Sequence, residues 1–392
     1  MKSCIFLFLI VIGSVTVLHA QTVTDTLPVI SEMEEVDDVE LIAEEDSVKK
    51  GFFYRILNQQ RPVTFLVFPL LSYSPETNLM LGIGSVASMH LKRDTATAPS
   101  FVSPWFAYSI DKQITGEVFG SIFYKGTKHQ VDYELNYKRL KQPFYGIGNK
   151  LPLDEKEVFL SQEIRLYALY QNRIAGKFLI GPVYNIDYVL ELSPKAGGKL
   201  DSMDLAGKEG GLVHGAGIKT AFDNRDDVYF PYKGNYLSLT AVGYPEWLGS
   251  KYQFALVTAE YRSFINIKRK VILASQVMSQ MSFGNVPFYY LPRYGSDKLL
   301  RGYTAGSGRD RYLFNLQGEL RVPVKRFIFT GFFGSGIVGP AFKDYFKVKE
   351  YSYSIGGGVR FRPFQDKNIM ARLDVGFWRG TYGVYFIFNE AF

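Results

Sequence analysis

From Lys128 to Lys138 polar and apolar side chains alternate without a break. Lys128, Gln130, Asp132, Glu134, Asn136 and Lys138 make one face, and His129, Val131, Tyr133, Leu135 and Tyr137 make the other. A period of two with one wholly polar face describes a strand lying between water and oil. The pattern returns at 310–322, where Arg311, Asn315, Gln317, Glu319 and Arg321 oppose Tyr312, Phe314, Leu316, Leu320 and Val322. It returns at 351–363, with Ser352, Ser354, Arg360 and Arg362 on the polar side, and at 369–378, with Arg372 and Asp374. With Gly, Pro and Asn/Asp clusters taken as turns, the alternation predicts strands near 63–73, 79–91, 101–110, 113–125, 128–139, 157–171, 174–190, 211–222, 234–245, 251–266, 269–282, 310–322, 326–338, 351–363, 367–378 and 381–391. That is about sixteen, an even number, at lengths near the roughly 9–11 residues a tilted membrane-crossing strand needs. The expected fold class is all-β: a single transmembrane antiparallel β-barrel of about 16 strands, with a charged lumen and an apolar outer face. In a soluble sandwich the apolar face would meet a second sheet, an alternative that the alternation alone leaves open.

Composition bears on that choice. The chain holds 27 Tyr and 32 Phe, and an aromatic surface of that size suits a membrane barrel better than a secreted soluble sheet protein. The N-terminus reads as a secretory signal over 1–20, with Lys2 as its positive region, Ile5 to Leu18 apolar and Ala20 as the small residue before cleavage. The only cysteine, Cys4, precedes the apolar core, which excludes a lipoprotein signal, and cleavage would leave a chain without disulfides. Residues 21–62 form an acidic leader, expected to be a mostly disordered periplasmic segment. Its stretch 21–50 holds ten acids against Lys49 and Lys50, in a chain whose net charge is +7. The strongly basic remainder, 63–392, is the expected barrel. Its charge suits anionic lipid headgroups or a cationic lumen, and nucleic acid is not an expected partner.

Four stretches resemble one family in that family's order. "LSYSPETNLMLGIG" (71–84) looks like its opening hairpin, and "AFDNRDDVYFPYKGNYLSL" (221–239) like its Asp-x-Arg-Asp…Phe-Pro-x-x-Gly turn. "PFYYLPRYGSDKLLRGY" (287–303) looks like its long sixth extracellular loop, and "GGGVRFRPF" with "ARLDVGF" like its penultimate strands. The chain thus resembles the BamA/TamA outer-membrane assembly family over nearly all of 63–392. The resemblance implies a loop folded back into the lumen, with an arginine-glycine-aromatic tip (here Arg301, Gly302 and Tyr303) whose arginine pairs with carboxylates of the inner wall. Elementary energetics agree, since a guanidinium among apolar neighbours in a narrow lumen costs several kcal/mol unless paired. Gly302 permits a tight reversal with positive φ, and Tyr303 can wedge the tip against the wall.

Two departures qualify the resemblance. Where the family carries an Asp in Phe-x-Asp-x-Gly, this chain reads Phe332-Phe333-Gly334-Ser335-Gly336, so Asp374 or Glu319, both on the lumen face, is expected to take over as partner of Arg301. The family's periplasmic POTRA domains have no room between Gln21 and Pro62. Client recognition is therefore expected from a periplasmic or membrane partner protein, with outer-membrane lipids around the barrel.

At the C-terminus, Thr381, Gly383, Phe386 and Phe388 resemble the tag by which barrel assembly machinery recognises outer-membrane barrels. Here the tag ends four residues early, before Phe392 closes the chain. It implies the outer membrane of a Gram-negative-type bacterium. Pro69 in the first strand donates no ladder hydrogen bond, so it either weakens the seam or sits at a rim or bulge. No catalytic or metal site and no cofactor is expected. His90, His129 and His214 lie in no nucleophile motif, and Asp223, Asp226 and Asp227 beside Arg225 read as a charged turn rather than a Ca²⁺ loop. The functional expectation is outer-membrane biogenesis, as protein or lipid insertion. The alternatives are a plugged structural or surface-antigen barrel and a passive pore.

Overall fold

A computed structural model of the protein describes residues 63–392 apart from 75–77, 91–96, 151, 153–154, 269–270, 325–326, 363–369, 379–380 and 389. The expected signal and leader lie outside the described residues. Strands β1 (Val63–Ser74), β2 (Asn78–Met89), β3 (Ser100–Ser109), β4 (Ile114–Tyr124), β5 (His129–Phe144) and β6 (Glu157–Ala175) are followed by β7 (Phe178–Ser193), β8 (Gly211–Asp223), β9 (Gly234–Tyr244), β10 (Phe254–Asn266) and β11 (Ile272–Gly284). Two short strands, β12 (Arg293–Tyr294) and β13 (Gly308–Arg309), pair with each other inside a long loop. Then come β14 (Tyr312–Val324), β15 (Phe327–Gly339), β16 (Ser352–Phe361), β17 (Ala371–Trp378) and β18 (Thr381–Phe388). All but β12 and β13 form one 16-stranded sheet in chain order, each strand antiparallel to the next. The sheet curls round until its edges meet, where the rings of Phe68 on β1 and Phe386 on β18 lie 6.5 Å apart, edge to face.

Every strand predicted from the alternation forms, most with ends moved by a few residues. β5 runs on to Phe144 because its ladder with β6 continues through Pro143↔Val158 to Phe144↔Glu157, past residues that read as a turn. β18 stops at Phe388, short of the expected 391, because the last residues turn into the lumen. Pro69 sits mid-strand opposite Ile83 with no break in register, so it marks neither rim nor bulge.

The faces separate as the period of two requires. On β14, Asn315, Gln317, Glu319 and Arg321 are buried while Leu316 and Leu320 are exposed; on β17, Arg372 and Asp374 are buried while Leu373 and Phe377 are exposed. Arg301, Arg321, Arg360 and Arg372 are the largest of the fully buried side chains. A sandwich would bury its apolar rows and wet its charges, the reverse of this arrangement. Apolar rows facing outward are stable only against lipid, so the barrel reading holds and the sandwich falls.

Candidate functional site

The loop between β11 and β14, residues 285–311, enters the barrel and is fastened at three heights. At its root Phe288 is buried edge-to-face against Phe144 of β5 and Phe159 of β6, with centroids at 5.6 and 5.7 Å. Tyr290 packs on Tyr244 and Phe254, and its hydroxyl accepts from Asn185 Nδ2 at 2.9 Å. The stem is the β12–β13 pair, clamped by Gly148, whose N–H and carbonyl both bond the backbone of Arg309 at 2.7 and 3.0 Å. Arg309 lies beside the rings of Phe144 and Phe288, with its guanidinium 5.7 and 5.5 Å from their centroids. Burial, and then the like charge of Arg293, push that guanidinium well below the usual arginine range.

At the tip Leu300 and Gly302 both have positive φ, +49° and +109°. A Cβ on Gly302 would meet the β17 backbone at Gly376 and Phe377, 2.8 Å away, so only glycine lets the tip lie this close. The Gly302 N–H donates to the Tyr385 hydroxyl of β18 at 2.9 Å, and Thr381 Oγ1 donates to the Gly302 carbonyl at 3.2 Å. Tyr303 stacks on Trp378 at 5.5 Å and meets Tyr294 edge-on at 5.3 Å.

Arg301 Nη1 donates to Glu319 Oε2 at 3.0 Å and to Asp374 Oδ2 at 2.6 Å, so both carboxylates that the alternation placed on the lumen face reach the guanidinium. The guanidinium carbon lies 3.4 Å from the Phe332 ring centroid, which adds a cation–π attraction. The position where the family carries Asp is filled differently. Gly334 and Gly336 leave room for Leu300, whose methyls would lie 3.4 and 3.1 Å from a Cβ placed there. With Leu300 occupying β15, the carboxylates come from β14 and β17 instead.

Sequence reasoning missed how many charges join them. Arg360 donates to Glu319 Oε1 at 3.0 Å, Asp374 Oδ1 and Thr330 Oγ1, while Arg321 Nε donates to Glu319 Oε1 at 2.8 Å. Arg372 joins Asp374 Oδ2 at 3.0 Å to Asp297 Oδ2 of the loop at 2.9 Å. Glu390, beyond the last strand, reaches Arg360 at 3.2 Å and Arg321 at 3.4 Å. Four arginines thus face four carboxylates, a balanced set in which each charge has an opposite neighbour. The alternation gave the faces of the strand residues but had no hold on Asp297 or Glu390, which lie outside periodic segments.

The end of the barrel that holds the C-terminal tail is also filled. In the turn 224–233, Asp226 and Asp227 accept backbone N–H groups from Tyr232, Lys233, Tyr229 and Phe230, and Asp223 holds Arg225 bidentately at 2.9 and 2.8 Å. Among the described residues no group of His, Cys, Asp and Glu is arranged to hold a metal. This turn reaches both walls. Tyr229 packs on Phe101 and Phe123 and donates to the Pro99 carbonyl, while Phe230 lies with Ile272, Ile328 and Met370 and 5.1 Å from the Arg321 guanidinium. The C-terminal tail lies beside it, Ala391 and Phe392 packing with Phe264 and Ala274. Of the other C-terminal residues singled out, Gly383 pairs with Gly376 and Phe388 ends β18 opposite Ala371. His129 and His214 each contact a tyrosine hydroxyl, of Tyr170 at 2.8 Å and Tyr184 at 2.6 Å.

Residues 212–363, from β8 to the end of β16, match the Omp85 superfamily domain. The match covers less than half of the chain. No curated protein matches its sequence. Its fold is similar to that of CdiB from Escherichia coli, with a TM-score of 0.56, 11% identity, and coverage of 84% of this chain and 62% of that one. The chain therefore spans less than two thirds of CdiB. BamA from Haemophilus ducreyi lacking POTRA domains 1–3 also aligns, with a TM-score of 0.49, 11% identity, and coverage of 84% and 70%. The barrel is an outer-membrane barrel.

Proposed function

We propose that this Omp85 barrel works in outer-membrane assembly, admitting a substrate chain at the β1–β18 seam beside a partner that supplies recognition. The observation that carries the reading is where the loop is locked. Its tip binds β14, β17 and β18, the wall that leads to the seam, through Arg301, Gly302 and their partners. The loop above and the turn 224–233 with the tail below fill the lumen, which argues against a passive pore. At the seam itself Phe68 meets Phe386 by side chains, next to Pro69, a residue with no N–H for a ladder. The acidic leader, by its charge, suits a basic surface on a periplasmic partner.

The test is the folding of a urea-denatured eight-stranded barrel into liposomes containing the purified protein, alone and with whatever co-purifies from membranes. Acceleration is expected, and it should vanish when cysteines at positions 68 and 386 are joined by a short bismaleimide. No acceleration in either preparation, with no conductance in planar bilayers, would leave a structural barrel; conductance by the wild type would favour a pore.

A further inference from the structure

The connection from β15 to β16 does not rise away from the barrel. It folds back over the outside of the wall. By the parity of its strand Ile337 faces outward, yet it is buried, because Tyr345 and Tyr351 lie over it with Tyr312 and Phe314 of β14. Tyr345 is pinned there: its hydroxyl lies 2.9 Å from Ser279 Oγ and donates to the Leu313 carbonyl at 2.9 Å. Tyr351 in turn donates to the Tyr345 carbonyl at 2.7 Å. Asp344 braces the first turn, accepting the Ala341 N–H at 2.9 Å and pairing with Lys347 at 3.0 Å. Burial opposes its charge, but Lys347 and that N–H outweigh it and hold the Asp344 carboxyl below the usual range.

This fastening leaves three large apolar side chains pointing away from the protein: Phe342, Phe346 and Val348, exposed by 54%, 73% and 68%. Lys343 and Lys349, next to Phe342 and Val348 in the chain, stand exposed as well. One row further down the same strands come the exposed Leu316, Phe333 and Tyr353, the upper part of the lipid-facing band. The exposed apolar surface of the connection therefore continues the barrel's lipid interface.

We propose that residues 341–350 are an interfacial anchor for the outer leaflet, in which Phe342, Phe346 and Val348 enter the acyl region and Lys343 and Lys349 meet anionic headgroups. The lysines carry the charge that phosphate-bearing lipids attract, and an apolar face beside lysines is what lies stably in such an interface. Lys347, tied to Asp344, belongs to the brace.

The test uses Val348→Cys carrying a nitroxide, since the chain's only cysteine, Cys4, lies in the expected signal. Phe333→Cys serves as the lipid reference and Asp204→Cys, exposed in another outer connection, as the water reference. In bilayers containing phosphatidylglycerol, collisions of the label at position 348 with oxygen should exceed those with a polar nickel chelate, as at position 333. Accessibility like that at position 204 would overturn the proposal. Adding Lys343→Gln and Lys349→Gln should move the label toward water in anionic bilayers and leave it unmoved in phosphatidylcholine. An unchanged depth in anionic bilayers would overturn the headgroup contact.

Discussion

The loop that fills this barrel is held at its root and at its tip by opposite means. At the root, Phe288 and Tyr290 sit among Phe144, Phe159, Tyr244 and Phe254, rings against rings on the β5–β10 wall. At the tip, Arg301 joins Arg321, Arg360, Arg372, Glu319 and Asp374 of the β14–β17 wall, and Asp297 of the loop and Glu390 of the tail complete the set of four arginines and four carboxylates. Apolar packing has little directional demand and tolerates repacking. A buried ionic set is the contrary case: it contributes little net stability, but its charges must stand where their partners are. The root therefore holds the loop in the barrel, and the tip fixes where it stops. Because Tyr385 and Thr381 of β18 also bind Gly302, the stopping place is tied to the strand that forms one side of the seam.

Arg301→Met gives the sharpest break. It keeps the apolar stem but leaves Glu319 and Asp374 one cation short, a loss of about 3–5 kcal/mol by analogy with other broken buried pairs. Hydrogen exchange should rise at 299–304 while 286–291 stay protected; equal loss of protection at both would show that root and tip are one unit. Asp374→Asn in the same chain restores the balance of charge, so the double variant should lose less than the two single losses combined, by about 1–3 kcal/mol in denaturant midpoints. Strict additivity would mean that Arg301 acts alone.

The two attachments were unequally legible in the sequence. The tip was readable because strand alternation fixes direction: Glu319 and Asp374 share a parity with Arg321 and Arg372, and all four point inward. The same rule fails wherever the chain leaves the ladder. Asp297, Glu390 and Phe230 meet this wall from a loop, a tail and a turn, whose directions are set by contacts remote in sequence. Parity alone would also turn Ile337 toward lipid, yet it is covered by a connection that folds outward. Glycine at 334, a departure from the family's acid, became intelligible only once Leu300 was seen beside it.

Tyr385→Phe removes the one hydroxyl that the Gly302 N–H meets, leaving a part-buried donor without its partner. The expected loss is about 1–3 kcal/mol in denaturant midpoints, with increased exchange at the Gly302 amide. At the root, Phe288→Leu keeps an apolar side chain among Phe144 and Phe159 and should cost less than about 1.5 kcal/mol. A larger loss would mean that the root demands as exact a shape as the tip.

Tyr290→Phe makes the same chemical deletion as Tyr385→Phe, one hydroxyl from one ring, and so isolates the setting from the chemistry. At the tip the donor is a backbone N–H with a single side-chain acceptor. At the root the donor is Asn185 Nδ2, which also bonds the Tyr244 hydroxyl at 3.0 Å and keeps that bond when Tyr290 loses its own. The ring of Tyr290 stays packed on Tyr244 and Phe254 in either case. The loss should therefore be about 0.5 kcal/mol, the low end for a single hydrogen bond, and smaller than that of Tyr385→Phe in the same denaturant series. If the two variants lose equally, the root is held by its polar contacts as much as by its rings, and the division between a packed root and a positioned tip does not stand.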